Sequence, residues 1–473
     1  MDWSLWLLGP LSVAAALLGP LAAGHALLNK REPQVAAAWM AVCLMFPVGG
    51  PVTYYVFGIN RVRTRARKLV KAERIPPGQS GHPPPSSPTI ATEYTEQVRI
   101  SDAITGRALE HGNHVTTLHN GEEAFPAMLQ AIEGARESIY LATYIFETNG
   151  TGRRFIEALS NAKRRGVDVR VLIDGVGELY SWPLAGRLLR RRRVPVARFL
   201  PPRLIPPQLS INLRNHRKIL VVDGQTAFTG GMNLGDRHLV SQGGRNAVAD
   251  LHFGFDGPLA AQMEEVFLED WAFTTGAPVV VPSPRARPHP DGALCRTVID
   301  GPNEDLDRLV LILTGAISAA RSSIRIVTPY FLPSRPLVSA LQAAALRGVE
   351  VEVILPQENN LPFIQWATRH MLGQLIQWGV RVYEQPPPFA HTKLFLVDGR
   401  YAQVGSANMD PRSLRLNFEM TAEIYNQDVA GSLDRFAMEL RGHSEPVRLS
   451  DLEQRPLHVR LRDAAFWLAS PYL

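Results

Sequence analysis

Apolar residues are concentrated at the start of the chain. The run Trp3–Leu28 contains no Asp, Glu, Lys or Arg, and neither does the run Val35–Phe57. Each run is long enough to cross a bilayer as a helix, and the short connection Asn29–Gln34 would join them as a hairpin. A cleaved signal peptide would carry positive charge before its apolar core, whereas only Met1 and Asp2 precede the first run. The pattern therefore predicts an N-terminal transmembrane hairpin.

A dense group of basic residues follows the second apolar run. Seven Lys and Arg side chains lie between residues 61 and 74, namely Arg61, Arg63, Arg65, Arg67, Lys68, Lys71 and Arg74. By the positive-inside rule they place the downstream chain in the cytoplasm, since they outnumber Lys30 and Arg31 of the hairpin loop. The same side chains suit anionic lipid headgroups, and a solvated flank without lipid selectivity is an equally good interpretation.

The remainder of the chain repeats itself after a linker rich in Pro, Gly and Ser at residues 75–89. The segment ARESIYLATYIF (135–146) is echoed by ARSSIRIVTPYF (320–331), and RGVDVRVLID (165–174) by RGVEVEVILP (347–356). Each copy predicts strands that alternate with helices, which indicates an α/β domain with a mainly parallel core sheet. The predicted segments are a transmembrane hairpin with its basic flank (1–74), a linker (75–107), a first domain (108–280), a second domain (290–446) and a C-terminal tail (447–473).

Length and composition agree with this division and limit the chemistry. A chain of 473 residues exceeds what one hydrophobic core usually organises. The two cysteines, Cys43 and Cys295, cannot build a disulfide framework or a Cys-based zinc site. The net charge of +6 suits nucleic acid and an acidic membrane surface equally well.

One polar motif, His-x-Lys followed by Asp after four residues, occurs once in each half. It is formed by His216, Lys218 and Asp223, and again by His391, Lys393 and Asp398. Residues two apart on a strand project from the same face, so each imidazole is expected beside an ammonium group. Each Asp is followed by Gly, which is a strong hairpin-turn signal, and the aspartates of this catalytic motif are therefore expected to hold the turn.

Counting back along each hairpin from a two-residue Asp-Gly turn identifies further candidates. The count places Gly231 opposite His216 and Ser406 opposite His391, with Asn233 and Asn408 two positions further on the same face. A phosphodiester repels nucleophiles, so cationic and amide donors must neutralise its oxygens. Lys218, Lys393, the two asparagines and the two small residues are therefore predicted to surround a phosphate.

Two histidines can divide the work of phosphodiester exchange. One neutral imidazole attacks phosphorus, while the other, protonated, supplies the leaving alkoxide with a proton and then activates the incoming alcohol. The nucleophile also needs an acceptor for its second ring nitrogen. Glu419, downstream of His391, and Asp250, downstream of His216, suit this role, and a purely structural role for these carboxylates is an equally good reading of the residues.

These motifs resemble the phospholipase D superfamily, and most closely the bacterial cardiolipin synthases. NHRKILVVDGQTAFTGGMN and HTKLFLVDGRYAQVGSANMD carry the likeness, which extends to GGMNLGD, TPYFLP and ANMDPRSLRLNFEM. It implies two α/β/α sandwich halves packed with pseudo-two-fold symmetry, and phosphatidyl transfer between two phosphatidylglycerol molecules without a metal or other cofactor. It also implies that His216 is the nucleophile, that His391 is the acid and base, and that Asp250 and Glu419 orient the imidazoles. Val248-Ala249 stand where such synthases tend to have Trp-Arg, which puts the headgroup preference in question.

Other functions remain compatible with the sequence. The membrane hairpin disfavours a nuclease, and two intact motifs disfavour a non-enzymatic scaffold. A hydrolytic phospholipase D, or a phosphatidyltransferase that uses another alcohol, stays open because acceptor choice depends on pocket shape. The expected partners are phosphatidylglycerol and other anionic lipids rather than nucleic acid, and the sequence leaves homo-oligomerisation open. The predicted location is the bacterial inner membrane, with several spans and cytoplasmic catalytic domains.

Two further segments are candidates for membrane contact. The basic run Arg190–Arg193 lies next to the apolar segment FLPPRLIPPQL, and Leu461–Leu473 carries aromatic and leucine residues at helical spacing. A solvated charged face and ordinary core packing are the respective alternatives.

Overall fold

The computed structural model divides the chain into two compact units, one of residues 1–71 with 204–209 and one of residues 72–203 with 210–473. The residues that it describes are 17–30, 33–58, 94–202, 213–242, 244–278, 286–301 and 307–470. The basic cluster between residues 61 and 74 and the linker 75–89 therefore lie outside the described residues.

The N-terminal unit is helical where it is described. Its elements are a helix over residues 17–29, the helices Pro33–Met45 and Gly49–Thr53, and a π-helical turn at Tyr54–Gly58. The second apolar run is thus interrupted at residues 46–48, next to Pro47, which cannot donate a helical hydrogen bond. Of the helices in the described ranges, none combines the length and hydropathy that crossing a membrane requires.

The second unit contains both copies of the motif and is built on one continuous mixed sheet. The strands of its first half are β1 Glu110–His119, β2 Ser138–Thr143, β3 Asp168–Asp174, β4 Val196–Phe199, β5 Ile219–Val222, β6 Thr226–Gly230, β7 Val248–Ala249 and β8 Leu251–Asp256. Those of its second half are β9 Ala293–Asp300, β10 Ser323–Val327, β11 Glu350–Pro356, β12 Arg381–Gln385, β13 Phe389–Ala390, β14 Leu394–Val397, β15 Tyr401–Gly405, β16 Glu419–Tyr425 and β17 Glu445–Pro446.

The strand order shows the duplication and corrects the predicted topology. Fifteen strands follow the order β17-β12-β11-β10-β14-β15-β16-β9-β1-β8-β6-β5-β2-β3-β4, so the second half runs through its strands in the reverse spatial order of the first. Parallel pairing is confined, in the described sheet, to β2-β3-β4 and β10-β11-β12. The prediction of a mainly parallel sheet is therefore wrong. The hairpin turn after each motif strand makes β5-β6 and β14-β15 antiparallel, and the strands on either side of these hairpins also pair with them in antiparallel fashion.

Helices cover the sheet and enclose a separate core in each half. In the first half they are Asn120–Gly134, Gly150–Arg164, Ala185–Arg191 and Leu259–Thr275. The helix Thr95–Thr105 precedes β1 in the chain but packs on the core of the second half, where Val98 is buried. In the second half they are Arg308–Ala319, Arg335–Leu346, Pro362–Ile376, Pro411–Arg415, Gln427–Gly442, Leu449–Glu453 and Leu457–Leu468. The fully buried Phe155 and Val353 lie in the first and second cores respectively.

The sequence-based boundaries differ from the structure at both ends of this unit. The helix Thr95–Thr105 falls within the predicted linker 75–107, and it packs because Ser101 donates to Glu423 (2.8 Å), which also pairs with Arg296 (3.0 Å). The predicted tail 447–473 contains two helices, the second of which packs against the helix Pro362–Ile376.

The motif aspartates hold the hairpin turns, as the sequence predicts. Asp223 and Gly224 both have positive φ angles, 54° and 62°, and Asp398 and Gly399 repeat them at 53° and 61°. Asp223 accepts hydrogen bonds from the backbone amides of residues 136–138 at 2.7–2.9 Å. Each aspartate thereby ties its turn to the start of the neighbouring strand.

The register counted from these turns is wrong by one residue. Val222 pairs with Thr226, and Val397 pairs with Tyr401, so one additional residue follows each Asp-Gly pair. Because side chains alternate along a strand, this shift moves Gly231 and Ser406 away from the positions directly opposite the histidines.

Replacing Asp398 with Ala should lower the free energy of unfolding by about 2–3 kcal/mol, because three amides and the Ser322 hydroxyl lose a charged acceptor. Asp398→Asn keeps an acceptor and tolerates positive φ, so its loss should be smaller. Denaturant titration measures both, with Asp291→Ala, an exposed aspartate, as the control.

The contribution of Asp398 should also depend on pH. Burial acts to raise the pKa of Asp398, but the amides of residues 321–323 outweigh it and hold that pKa below its ordinary value. The stabilisation is therefore complete above the unfolded pKa of about 3.9 and is lost as the pH falls through the folded pKa. An equal loss in Asp398→Asn and Asp398→Ala at pH 7 would contradict the assigned hydrogen bonds.

Candidate active site

The two histidines are positioned by backbone hydrogen bonds that cross between the halves. The amide of His216 donates to the carbonyl of Phe418 (2.9 Å), and the amide of His391 donates to the carbonyl of Ala249 (2.7 Å). Next to these contacts, β7 and β13 pair in parallel, with Ala249 aligned to Ala390. Each histidine is thus held by the residue that directly precedes the carboxylate of the other half.

The side chains make the same crossing. His216 Nδ1 lies 3.1 and 3.2 Å from the two carboxylate oxygens of Glu419, and His391 Nδ1 lies 2.9 Å from Asp250 Oδ2. The two carboxylates proposed from the sequence therefore do meet the histidines. Each carboxylate pairs with the histidine of the other half. The spacing of these residues along the chain does not reveal this crossed pairing.

The motif lysines lie beside their own histidines. Lys218 Nζ donates to the carbonyl of His216 (2.7 Å) and Lys393 Nζ to that of His391 (2.6 Å). Lys393 Nζ also lies 3.0 Å from both ring nitrogens of His391. Burial lowers the pKa of Lys218 to about 7 and that of Lys393 to about 8. The site therefore holds two ammonium groups that bear their charge only near or below neutral pH.

The two histidine–carboxylate pairs differ electrostatically. Burial lowers the pKa of His216, and burial together with Lys393 and Lys218 holds the pKa of His391 well below its ordinary value. Burial raises the pKa of Asp250 to about 7. For Glu419 burial acts in the same direction, but His216, Lys218 and Ser406 outweigh it and lower the pKa. At neutral pH His391 is neutral, and Glu419 is the more firmly ionised of the two carboxylates.

Gly231 and Ser406 lie next to the carboxylates of Asp250 and Glu419, respectively. A Cβ atom at Gly231 would fall 2.4 Å from Asp250 Oδ2, so only glycine leaves room for that carboxylate. Ser406 occupies the matching place in the second half, where its hydroxyl donates to Glu419 Oε2 (2.5 Å). These two residues thus contact the carboxylates that meet the histidines, and their predicted contact with a phosphate stays a prediction.

The two asparagines are buried beside the motifs with different hydrogen bonds. Asn233 Oδ1 accepts from the amide of Ile145 (3.1 Å). Asn408 Nδ2 donates to the Ser413 hydroxyl (3.2 Å), and Asn408 Oδ1 has no hydrogen-bond partner within the described part of the chain. The side-chain oxygen of Asn408 can therefore accept a further hydrogen bond.

Sequence reasoning missed two tyrosines that cover the histidines. The ring centroid of Tyr144 lies 5.3 Å from that of His216 in an edge contact, and that of Tyr330 lies 6.4 Å from that of His391. Lys218 Nζ also lies 5.8 Å from the Tyr144 ring centroid. Both tyrosines occur in the repeated segments 135–146 and 320–331, whose pattern predicts only strands. They stand one position apart when the two segments are aligned, so the repeat does not reveal that they have matching places.

A buried ion pair supports the first motif from behind. Arg217, between His216 and Lys218, points inward and pairs with Asp270 (2.7 Å), which also accepts from Asn215 (2.9 Å). Alternating residues thus face the site and the interior, as expected for extended backbone.

Binding of a phosphodiester should weaken as the pH rises through 7–8, because the buried lysines then lose their charge. Glycerophosphoglycerol is a suitable probe, since its single negative charge is constant over that range. We expect affinity to fall by about tenfold or more between pH 6.5 and 9, measured by calorimetry. Lys393→Arg, which stays charged, should retain more affinity at pH 9 than the parent, and Lys393→Met should bind weakly throughout. Constant parental affinity up to pH 9 would contradict the assigned charges.

Comparison with known proteins agrees with this architecture. Residues 128–271 and 313–440 match the family described as cardiolipin synthase, PLD-like domain, and residues 20–58 match that described as phospholipase D-nuclease N-terminal. The chain is 31% identical to a cardiolipin synthase of Geobacillus kaustophilus, with 94% of this chain and 90% of that protein covered. It is also 31% identical to cardiolipin synthase A of Serratia proteamaculans, with 94% of each covered.

A solved structure shows the same fold. The phosphatidylserine synthase of Haemophilus influenzae Rd KW20 superposes with a TM-score of 0.61 at 15% identity, over 81% of this chain and 100% of that one. The repeated family match and the full-length relatives determine the family, and the chain belongs to the cardiolipin synthases with phospholipase D-like domains.

Proposed function

We propose that this chain is a membrane-bound cardiolipin synthase, a phosphatidyltransferase that joins two phosphatidylglycerol molecules and releases glycerol. The observation that carries the proposal is the crossed site: two histidines, each held by the carboxylate of the other half, beside two lysines. The names of the relatives matched over nearly the full chain support cardiolipin as the product.

The reaction proceeds in two displacements at phosphorus. His216 Nε2 attacks the first phosphatidylglycerol, and the bond from phosphorus to the glycerol oxygen breaks as His391 donates a proton to that oxygen. Glycerol leaves a phosphatidyl-histidine. His391 then takes the proton from a glycerol hydroxyl of the second phosphatidylglycerol, whose oxygen attacks phosphorus and displaces His216. Lys218, Lys393, Asn233 and Asn408 stabilise the charge on the phosphate oxygens during both steps.

The difference between the carboxylates favours His216 as the nucleophile. Attack through Nε2 places positive charge on the ring, and an ionised carboxylate at Nδ1–H stabilises that charge. Glu419, whose pKa is lowered, meets this requirement better than Asp250, whose pKa burial raises to about 7. The Ser406 hydroxyl strengthens the difference because it donates to Glu419, and Gly231 offers Asp250 no equivalent.

His391 must gain a proton before it can act as an acid. In the free enzyme burial, together with the nearby Lys393 and Lys218, keeps the pKa of His391 low. An anionic phosphate placed between Lys218 and Lys393 would offset their charge and raise the pKa of His391. Substrate binding thus prepares the acid, and the Asp250–His391 pair titrates as a coupled unit.

The membrane location rests on the N-terminal sequence and the family match. Residues 20–58 match an N-terminal family region, and the two apolar runs continue before and within it. We assign them to a transmembrane hairpin in the bacterial inner membrane, with the catalytic unit on the cytoplasmic side as the basic flank requires. Phosphatidylglycerol would then be the substrate, and it would also form, with other anionic lipids, the bilayer around the enzyme.

The function is tested by incubating the purified full-length protein with phosphatidylglycerol vesicles, with and without a chelator, and identifying the products. Cardiolipin and glycerol in equal amounts are expected in both samples. Phosphatidic acid as the sole lipid product would identify a hydrolase, and inhibition by chelator would rule out catalysis by these residues alone.

Chain order would pair Glu419 with His391 and Asp250 with His216, whereas the structure pairs Glu419 with His216 and Asp250 with His391. The two pairings predict different effects of substituting the carboxylates. Glu419→Gln should resemble His216→Ala and abolish phosphatidyl-enzyme formation. Asp250→Asn should resemble His391→Ala, with slow formation and slower turnover of the intermediate. The losses should reach about a hundredfold or more, because the carboxylate fixes and charges its imidazole.

Rapid acid quench with radiolabelled phosphatidylglycerol measures the intermediate in each variant. Combining Glu419→Gln with His216→Ala should add little to either single loss, since both changes affect one unit. The opposite pattern, with Asp250→Asn preventing phosphatidyl-enzyme formation, would exchange the roles of the two histidines.

A further inference from the structure

Two surface elements of the catalytic unit have inverted polarity, with a charged residue inside and large apolar residues outside. The first is the turn Gly177–Tyr180 and the residues after it. Glu178 is 1% exposed and pairs with Arg198, whereas Leu179, Tyr180 and Trp182 are 62%, 58% and 78% exposed. Exposed apolar groups of this size indicate a surface that is covered in use.

The C-terminal helix Leu457–Leu468 shows the same inversion. Asp463 is fully buried and bonded by Arg455 and Arg462, while Leu457, Leu461 and Leu468 are 70%, 61% and 74% exposed. An amphipathic helix in water would turn its leucines towards the core. Here the inward side instead carries the buried carboxylate and the aromatic contact of Phe466 with Trp366 (5.0 Å between ring centroids).

Both elements adjoin the active site through the tyrosines that cover the histidines. The ring centroid of Tyr180 lies 6.3 Å from that of Tyr144, the neighbour of His216. Tyr330, the neighbour of His391, packs on the same apolar cluster as Phe466 of the C-terminal helix. The inverted elements therefore flank the site, one in each half.

The charges beside the first element indicate what covers the surface. Exposed arginines follow it directly, at positions 187 and 190–193. Trp and Tyr side chains favour the membrane–water interface, and arginines next to them suit anionic headgroups. A neutral protein partner would not require this run of exposed positive charge.

We propose that Leu179, Tyr180, Trp182 and the outer leucines of the C-terminal helix form a membrane-contact face that seats the active-site mouth on an anionic bilayer. The proposal rests on the proposed function for the source of the substrate, since phosphatidylglycerol must leave a bilayer to reach the histidines. Insertion of these side chains places lipid headgroups at the level of Tyr144 and Tyr330, and the arginines hold the anionic surface beside them.

Contact with lipid can be measured independently of activity. The full-length protein, with Cys43→Ala and Cys295→Ala, receives one fluorophore-labelled cysteine in place of Trp182 or Leu461 and is reconstituted into phosphatidylglycerol vesicles. The matched control is Leu346, which is 67% exposed at the end of the helix Arg335–Leu346, next to the amino end of β11 and away from the site. Brominated acyl chains should quench the probes at 182 and 461 and leave the probe at 346 unaffected.

Activity supplies the second measurement. Trp182→Glu and Leu461→Glu should each lower turnover of long-chain phosphatidylglycerol in vesicles by about tenfold, because burial of an apolar side chain in the interface is lost. Turnover of dispersed short-chain phosphatidylglycerol should change by less than about twofold, as for surface substitutions away from a site. Leu346→Glu should leave both rates unchanged.

Each outcome decides between the proposals. Equal quenching at all three positions, or equal losses on both substrates, would overturn the membrane-contact face. Quenching that fails while cysteines at 182 or 461 cross-link between molecules would assign the face to a second copy of the chain. If the parent enzyme forms no cardiolipin from either substrate but its probes at 182 and 461 are quenched, the proposed function fails and the membrane-contact face stands.

Discussion

The crossed attachment of each histidine is the constraint on which the site depends. The amide of His216 donates to the backbone carbonyl of Phe418, and Glu419, the next residue, accepts a hydrogen bond from Nδ1 of the His216 ring. Ala249 and Asp250 do the same for His391. Each imidazole is thereby fixed at two points by the opposite half, and a single half would leave its histidine without an orienting carboxylate. This gives a physical reason for carrying both copies of the motif in one chain.

Crossing also allows two similar motifs to acquire different proton affinities. Glu419 is longer than Asp250 and receives the Ser406 hydroxyl, whereas Asp250 occupies the space that Gly231 leaves open. The carboxylate pKa falls in the first case and rises in the second, although both groups are buried. Exchange at phosphorus needs one nucleophile and one proton carrier, so this local asymmetry supplies what an exact duplication could not.

The sequence predicted the parts of this arrangement that depend on local periodicity. The internal repeat, the turns at Asp223 and Asp398 and the pairing of each histidine with a nearby lysine follow from spacing and side-chain alternation. The register failed because one additional residue after each Asp-Gly pair leaves no distinct signal in composition. The crossed carboxylates and the antiparallel junction of the halves at β1 and β9 involve distant segments, which spacing within one half cannot reveal.

The membrane-contact face bears on the choice between alcohol and water as acceptor. A phosphatidyl-histidine open to solvent would be hydrolysed, since water is far more abundant than any lipid hydroxyl. Apolar side chains next to Tyr144 and Tyr330 would seal the mouth against the bilayer, so that the space vacated by glycerol fills from the lipid side. Transfer would then be favoured over hydrolysis because the mouth of the site faces the lipid and not the water. The buried lysines fit such a site, because their low pKa values reflect poor access to water.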